Sequence, residues 1–596
     1  MAPSIGEYDQ VVAITQQMIN NSLQDLFAIN QANAVSAGHA ADAVIPNFGP
    51  GTFAFKDFKL GCPRVIVHYS DEDKYHVLYQ IHITSGSFVT QKSWTDTTPL
   101  TWPIQDWYFA YSVNIGKYSV LQLKFVAADS LRKKHDIPGD YSIQKLIMNM
   151  KDPDISSATM TQSYFGGYEN DKTPKLSEDN LKNIKILMTT IGEGQSNTML
   201  HMQDLNVLGY VTNGPQNKAV VESPKATFIP CGLQFQTYPY KSNGNAAGDG
   251  TTGNSRLNYL CYLEKTLNPG QKDAPPMPSG DKKYLGYDGN WTAGSISTSN
   301  GQDNITDDLP LGAFVLTSGN FMDQYLFPRL RDIIARMAIG WSDLSAGAWA
   351  NSTWAMGVNL HINDPGNVKD SEYKFSKTQN GPKTVWTFTK SWPQDLKRDH
   401  GAQSIKVTAE SSCEVKITAT GDSPTINVEG TSYIRLYSEV WWGLEDNAAS
   451  KGDDLHRSFK WNFNLTLQSV NDGGLQIIMT DRGHHVDYDA SDRRDLKDKF
   501  GGIIDWLEGW FNTFNFDNLG SLENVLANDI GRASKLVFPC SGVFFYKNPV
   551  MTDRGDLMCS VGYKPSGETF GGAARVNPPV LAPTDPKTVN EKTDKW

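Results

Sequence analysis

The sequence predicts an α+β protein of two tandem modules, each a long helix wrapped by a strongly curved antiparallel β-sheet. Three observations carry this. Residues 8–27, YDQVVAITQQMINNSLQDLF, place Tyr8, Val11, Val12, Thr15, Met18, Ile19, Leu23, Leu26 and Phe27 at three- and four-residue steps, one stripe of a helix. Many later segments alternate apolar and polar residues with period two, the pattern of half-buried strands. A similar helix and a similar hairpin return in the second half of the chain.

The opening helix is uninterrupted by Pro or Gly, and Gln10, Gln16, Gln17, Asn20, Gln24 and Asp25 take much of its other face. Such a stripe requires a long apolar surface to lie against. Strand patterns follow. Val77, Tyr79, Ile81 and Ile83 alternate with His76, Leu78, Gln80 and His82. Trp107, Phe109, Tyr111, Val113 and Ile115 repeat the alternation. Gly116-Lys117 then leads into residues 118–125, which predicts a hairpin over 107–125. A turn at 137–140 precedes YSIQKLIMNM, and residues 181–192 support no assignment. FIPCGLQFQTYP and NYLCYL form a hairpin with a Gly/Asn-rich connection.

Residues 271–312 are rich in Pro, Gly, Asp, Asn and Ser and predict a linker between modules 1–270 and 313–576. The second module opens with SGNFMDQYLFPRLRDIIARM, where Tyr325, Leu326, Leu330, Ile333, Ile334 and Met337 make a second stripe. Pro328 kinks this helix or marks its true first turn. Cys413, Val415 and Ile417, then Ile434, Leu436 and Val440, define strands. The strongest strand puts Phe459, Trp461, Phe463, Leu465 and Leu467 on one face. Residues 500–514 predict a third helix, with Trp506 off its apolar stripe as a candidate exposed anchor. FPCSGVFFYKNP and LMCSVGY repeat the earlier hairpin, and 577–596 read as a disordered tail.

Cys231 and Cys540, and the pairs Asp9-Gln10 and Asp323-Gln324, are separated by nearly the same interval. Two features at one offset argue for tandem halves of about three hundred residues, too long a period for a solenoid. GEYDQVVAITQQMINNSLQDLF, IPGDYSIQKLIMNM and the FPC hairpins together resemble the tubular lipid-binding (TULIP) superfamily. They are similar to the forty-seven-kilodalton protein family of clostridial neurotoxin gene clusters and its fungal relatives. The resemblance covers most of the chain and implies two modules joined end to end, with an apolar ligand carried between helix and sheet.

The totals narrow the function. The chain has 596 residues with 39% hydrophobic content and net charge −11, and a mean hydropathy of −0.42. No apolar run approaches the ~18 residues of a membrane span. An acidic balance disfavours nucleic acid, whose phosphates need Lys and Arg, and leaves at most peripheral membrane contact. The start, MAPSIGEYDQ, carries no signal-like pattern, so the expected location is cytoplasmic, or secreted without a recognisable signal. Six cysteines without a CxxC pair suit free, mostly buried thiols. Cys231 with Cys261, and Cys540 with Cys559, are candidate cross-strand neighbours.

No nucleophile elbow or phosphate-binding loop is present, and no cofactor is expected. His484, His485, Asp487, Asp489 and Asp492 could gather on a divalent ion. The preferred reading of 481–492 is a polar loop between a strand and a helix. The expectation is therefore a non-enzymatic protein that binds a lipid or other apolar molecule. Val12, Met18, Ile19, Leu330, Ile333 and Ile334 are its candidate wall residues. One alternative is a toxin-accessory or protein-interaction scaffold with a packed interior. The other is a metal-dependent hydrolase using 481–492.

Overall fold

The computed structural model describes residues 4–40, 44–67, 74, 76–92, 95–119, 141–154, 163–168, 172–190, 207–215, 228–240, 257–267, 273–286, 289–291, 312–338, 340–348, 354–361, 369, 371–400, 403–442, 449–469, 475–488, 493–494, 536–537 and 543–564. It is mostly strand, in curved antiparallel sheets with few helices. Two compact units emerge. The first is Met1–Val315 with Arg532–Lys547 and Cys559–Trp596; the second is Leu316–Gly531 with Asn548–Met558.

In chain order the first stretch contains β1 (Gln10–Thr15), α1 (Gln16–Ser36), β2 (Val44–Phe48), β3 (Phe53–Leu60), β4 (Arg64–Ile66), β5 (His76–Gln91), β6 (Pro99–Ser119) and β7 (Tyr141–Asp154). α2 (Glu178–Thr190), β8 (Val207–Pro215), β9 (Ile229–Tyr238), β10 (Tyr259–Leu267) and β11 (Gly312–Leu316) follow. A π-helical segment, Gly319–Leu326, runs into α3 (Phe327–Met337). Then come β12 (Gly340–Ala348), β13 (Trp354–His361), β14 (Ser376–Asn380), β15 (Lys383–Ser391), β16 (Gln394–His400), β17 (Gln403–Thr420) and β18 (Thr425–Trp442). The chain closes with β19 (Ala449–Ser469), β20 (Leu475–Tyr488), β21 (Arg493–Arg494), β22 (Leu536–Val537), β23 (Val543–Met551) and β24 (Leu557–Lys564).

The predicted helix over 8–27 is half strand. Val11, Val12 and Ile14 are β-branched and suit a pleated, two-sided interior, and all six residues of β1 are buried. Thr15 ends the strand in extended geometry, and its Oγ1 accepts the Met18 N–H at 3.2 Å, an N-cap. The helix then continues past Phe27 to Ser36. It stops where Gly38 adopts φ +81° and the His39 N–H reaches back to the Ala34 carbonyl.

The first unit is built on a 14-stranded sheet of order β2-β3-β5-β6-β7-β8-β22-β23-β24-β11-β1-β10-β9, with β4 also on β5. Outward from the β11–β1 contact, each side begins with a strand that leads into a helical segment. Each side then continues with a hairpin, β24–β23 on one hand and β10–β9 on the other. β6 is one continuous 21-residue strand, so no turn occurs at Gly116-Lys117. Those residues pair with Ile147 and Leu146 of β7, which extends the ladder where a hairpin turn was expected. Residues 181–190 lie in α2, whose first turn carries Glu178 and Asp179, a favourable charge for a helix N-terminus.

The second unit contains an eight-stranded antiparallel sheet of order β14-β15-β17-β18-β19-β20 with β16 and β21 alongside, and the separate β12–β13 pair. Its alternation is as expected. Phe459, Trp461, Phe463, Leu465 and Leu467 are all buried, as are Cys413, Val415, Ile417, Ile434, Leu436 and Val440. Pro328 sits where the π-helical segment passes into the first turn of α3.

Candidate functional site

In the first unit α1 is fixed by side-chain amides rather than by its apolar stripe alone. Asn20 accepts the Val65 N–H at 2.7 Å and donates to the Val65 carbonyl at 2.9 Å. Gln16 accepts the Val67 N–H at 2.8 Å, and Asn258 donates to the Val67 carbonyl at 3.0 Å. The helix thus satisfies the Val65 N–H and carbonyl and the Val67 N–H as a neighbouring strand would. Gln16 and Asn20, placed on the outer face by periodicity, face protein. The buried stripe is Met18, Ile19, Ser22, Leu23, Leu26, Asn30 and Ala34.

A second amide clamp lies on β9. Gln236, itself buried, accepts the Leu285 N–H at 2.7 Å and donates to its carbonyl at 3.1 Å. The hydroxyl of Tyr238 donates to the Gly289 carbonyl at 3.0 Å, and Tyr8 donates to the Lys283 carbonyl at 2.8 Å. Leu285 and Trp291 are buried, so these residues of the 271–312 stretch are docked.

In the second unit the first turn of α3 is held by rings. Phe327 stacks on Phe375 at 4.1 Å and meets Trp386 edge-on at 6.2 Å. The Tyr373 hydroxyl donates to the Phe327 carbonyl at 3.1 Å. Arg329 covers the Tyr325 ring at 3.8 Å, a cation–π contact.

The six predicted wall residues divide between the units. Val12 lies on β1 instead of a helix, because the helix starts later; Met18 and Ile19 lie on α1. Leu330, Ile333 and Ile334 share α3. None is more than 4% exposed.

The other chemical candidates separate. Residues 481–488 are strand, not loop, because β20 continues along β19 to Tyr488. Asp481 takes φ +52° at the register shift, and Asn464 donates to its carboxylate at 2.7 Å. His484 and His485 are exposed. Asp487 is engaged by Lys460 and by His485 at 3.0 Å, and the lysine hydrogen bond holds its carboxyl below the usual range. Asp489, Asp492, Trp506 and the helix predicted over 500–514 lie outside the described residues. Among the described residues no group of three or more His, Cys, Asp or Glu could hold a metal ion.

Cys231 is not opposite Cys261. The partner of Cys261 on β9 is Gln236, and Cys231 sits at a register shift, donating to the Lys265 carbonyl at 3.3 Å. Cys62, Cys231, Cys261, Cys413 and Cys559 are free; Cys540 lies outside the described residues. Burial pushes the Cys62 and Cys413 thiols up to about 12 and Cys231 to about 11.

No family model matches the sequence, and no curated protein matches it. Among solved structures, P47 from Clostridium botulinum A2 matches with TM-score 0.41 and 8% identity, over 94% of this chain and 98% of that one. P47 of Clostridium botulinum E1 gives 0.39 and 10%, over 94% and 100%. A lipopolysaccharide binding protein gives 0.30 and 9%, over 95% and 100%. The chain is similar to these P47 proteins. Among the described residues no helix is long and apolar enough to cross a membrane.

The sequence reading missed the polar residues inside β1 and β10. Gln10 is fully buried and donates to the buried Glu264. The available signal was Glu264 itself, a charge directly after the apolar run YLCYL.

Proposed function

We propose that this protein binds a lipid or another apolar small molecule without catalysis, in two tandem modules that each set a helix against a curved sheet. The carrying observation is a mismatch of lengths in the second unit. β18 has 18 residues, which span about 59 Å at ~3.3 Å per residue. The helical run of Gly319–Leu326 and Phe327–Met337 spans under about 30 Å. The buried face of that strand extends from Val440 to Ile426 and carries Ser438, Ser432 and Gly430 among its apolar residues. Hydrocarbon laid along such a face gains about 0.8 kcal/mol per CH₂ removed from water.

The mirrored strand order around β11 and β1 supports duplication, as does the placement of a buried Cys in β10 and in β24. Titration with the apolar probe diphenylhexatriene tests the binding reading. Saturable fluorescence enhancement, competed by a long-chain fatty acid, is expected. A linear, non-competed signal contradicts it.

The near-zero exposure of Met18, Leu330 and Ile334 favours a second reading, a scaffold whose interior is filled by its own side chains and whose function lies on outer surfaces. Absence of any saturable apolar site would select it.

A further inference from the structure

One face of β1–β10–β9 forms a three-by-three patch in which each row is a set of directly paired residues. The first row is Gln10, Glu264 and Leu233; the second is Val12, Tyr262 and Phe235; the third is Ile14, Leu260 and Thr237. Paired residues in antiparallel strands share a face, and so do residues two apart. All nine are buried.

Three polar oxygens on this patch have no hydrogen-bond partner among the described residues: Gln10 Oε1, Tyr262 Oη and Thr237 Oγ1. Gln10, Tyr262 and Thr237 are 0%, 1% and 0% exposed. Each unsatisfied group inside a protein costs about 1–3 kcal/mol, and buried polar groups are otherwise almost always paired. Three on one small patch, interleaved with Val12, Ile14 and Leu260, match the mix of polar and apolar groups that a ligand of both characters requires.

The donor and acceptor inventory limits the ligand. Gln10 Oε1 only accepts, so the ligand must donate to it. Tyr262 and Thr237 hydroxyls donate or accept. The neighbouring Glu264 carboxylate disfavours an anion. We infer that the β1–β10–β9 patch binds the head of an uncharged, hydroxyl-bearing amphiphile, its hydroxyls meeting Gln10, Tyr262 and Thr237. This rests on the lipid-binding reading above and names the ligand class for it.

The test compares 1-monooleoylglycerol, methyl oleate and oleate on the full chain by native mass spectrometry, with Tyr262→Phe and Thr237→Val as variants. Both substitutions keep shape and remove only an unpartnered hydroxyl, so the fold is retained. Monooleoylglycerol should bind about tenfold tighter than methyl oleate, the value of one or two added hydrogen bonds. Each variant should lower that preference roughly threefold or more while leaving methyl oleate unchanged. Equal affinity for the two uncharged probes, with no effect of either variant, overturns the inference and leaves lipid binding standing; ordered water then fills the polar atoms. Tighter binding of oleate also overturns it. Binding of none of the three overturns both the inference and the lipid-binding reading.

Discussion

Cys261 and Cys559 occupy the same place in their strands. Each is the third residue, of β10 and β24 respectively, and each is fully buried. Each strand is preceded by a polar residue that receives the start of a helical segment. The Asn258 carbonyl accepts the Gln16 N–H at 2.9 Å, and the Asp556 carboxylate accepts the Ser318 N–H at 2.7 Å. β10 pairs with β1 and β24 with β11, the strands that lead into those segments.

Thiol chemistry follows from that burial. Cys261 and Cys559 are pushed well up by desolvation, and Cys231, only half-buried, is the lowest described at about 11. In the native protein at neutral pH, the five described cysteines should react with a thiol reagent far more slowly than the unfolded chain. As pH rises Cys231 should label before Cys261 and Cys559. Fast native labelling of Cys261 or Cys559, located by peptide mass spectrometry, would contradict the placement.

Asn20→Ala removes both side-chain partners of the Val65 backbone. Two orphaned backbone groups should cost about 2–4 kcal/mol in urea unfolding. Gln24→Ala, on the exposed side of α1, should change stability by under about 0.5 kcal/mol. Equal effects would show that the amide clamp contributes nothing.

Gly430 lies opposite Trp461, and a Cβ there would collide with the indole ring. Gly430→Ala should therefore cost about 1–3 kcal/mol by overpacking. Trp461→Leu in the same background should recover part of the loss. A neutral Gly430→Ala would mean the ring can move aside.

Burial raises the Asp556 carboxyl above its ordinary range, partly offset by the Ser318 N–H, Lys377 and Arg554. The native state thus holds this proton more tightly than the unfolded chain. The associated stability is greatest at low pH and declines as pH rises through the raised value. Asp556→Asn keeps an acceptor for Ser318 and does not titrate. The stability difference should therefore move in favour of the variant between about pH 4 and pH 7. A difference that is flat with pH, measured by denaturant unfolding, would reject this.

The sequence made the strands of the second unit legible because they obey one rule throughout. Phe459 to Leu467 alternates without exception, and its face is set by that alone. The β1–α1 junction was not legible. Val11, Val12 and Ile14 are apolar at both parities, as a strand buried on two faces must be, and joined to Met18, Ile19 and Leu23 they mimic one helical stripe. Thr15 was the available boundary signal, a β-branched cap two residues before Gln17 and three before Met18. The roles of Gln16, Asn20 and Gln236 depend on backbone partners far along the chain, which local periodicity does not encode. The polar patch around Tyr262 shows only once register brings Gln10, Glu264 and Thr237 onto one face.

The most direct measurement is native mass spectrometry of the purified full chain before and after lipid extraction, with the released material identified. The account predicts an apolar molecule bound in defined stoichiometry, removed by extraction and restored by adding it back. A chain at its bare mass under gentle conditions, taking up none of the offered apolar ligands, would contradict it.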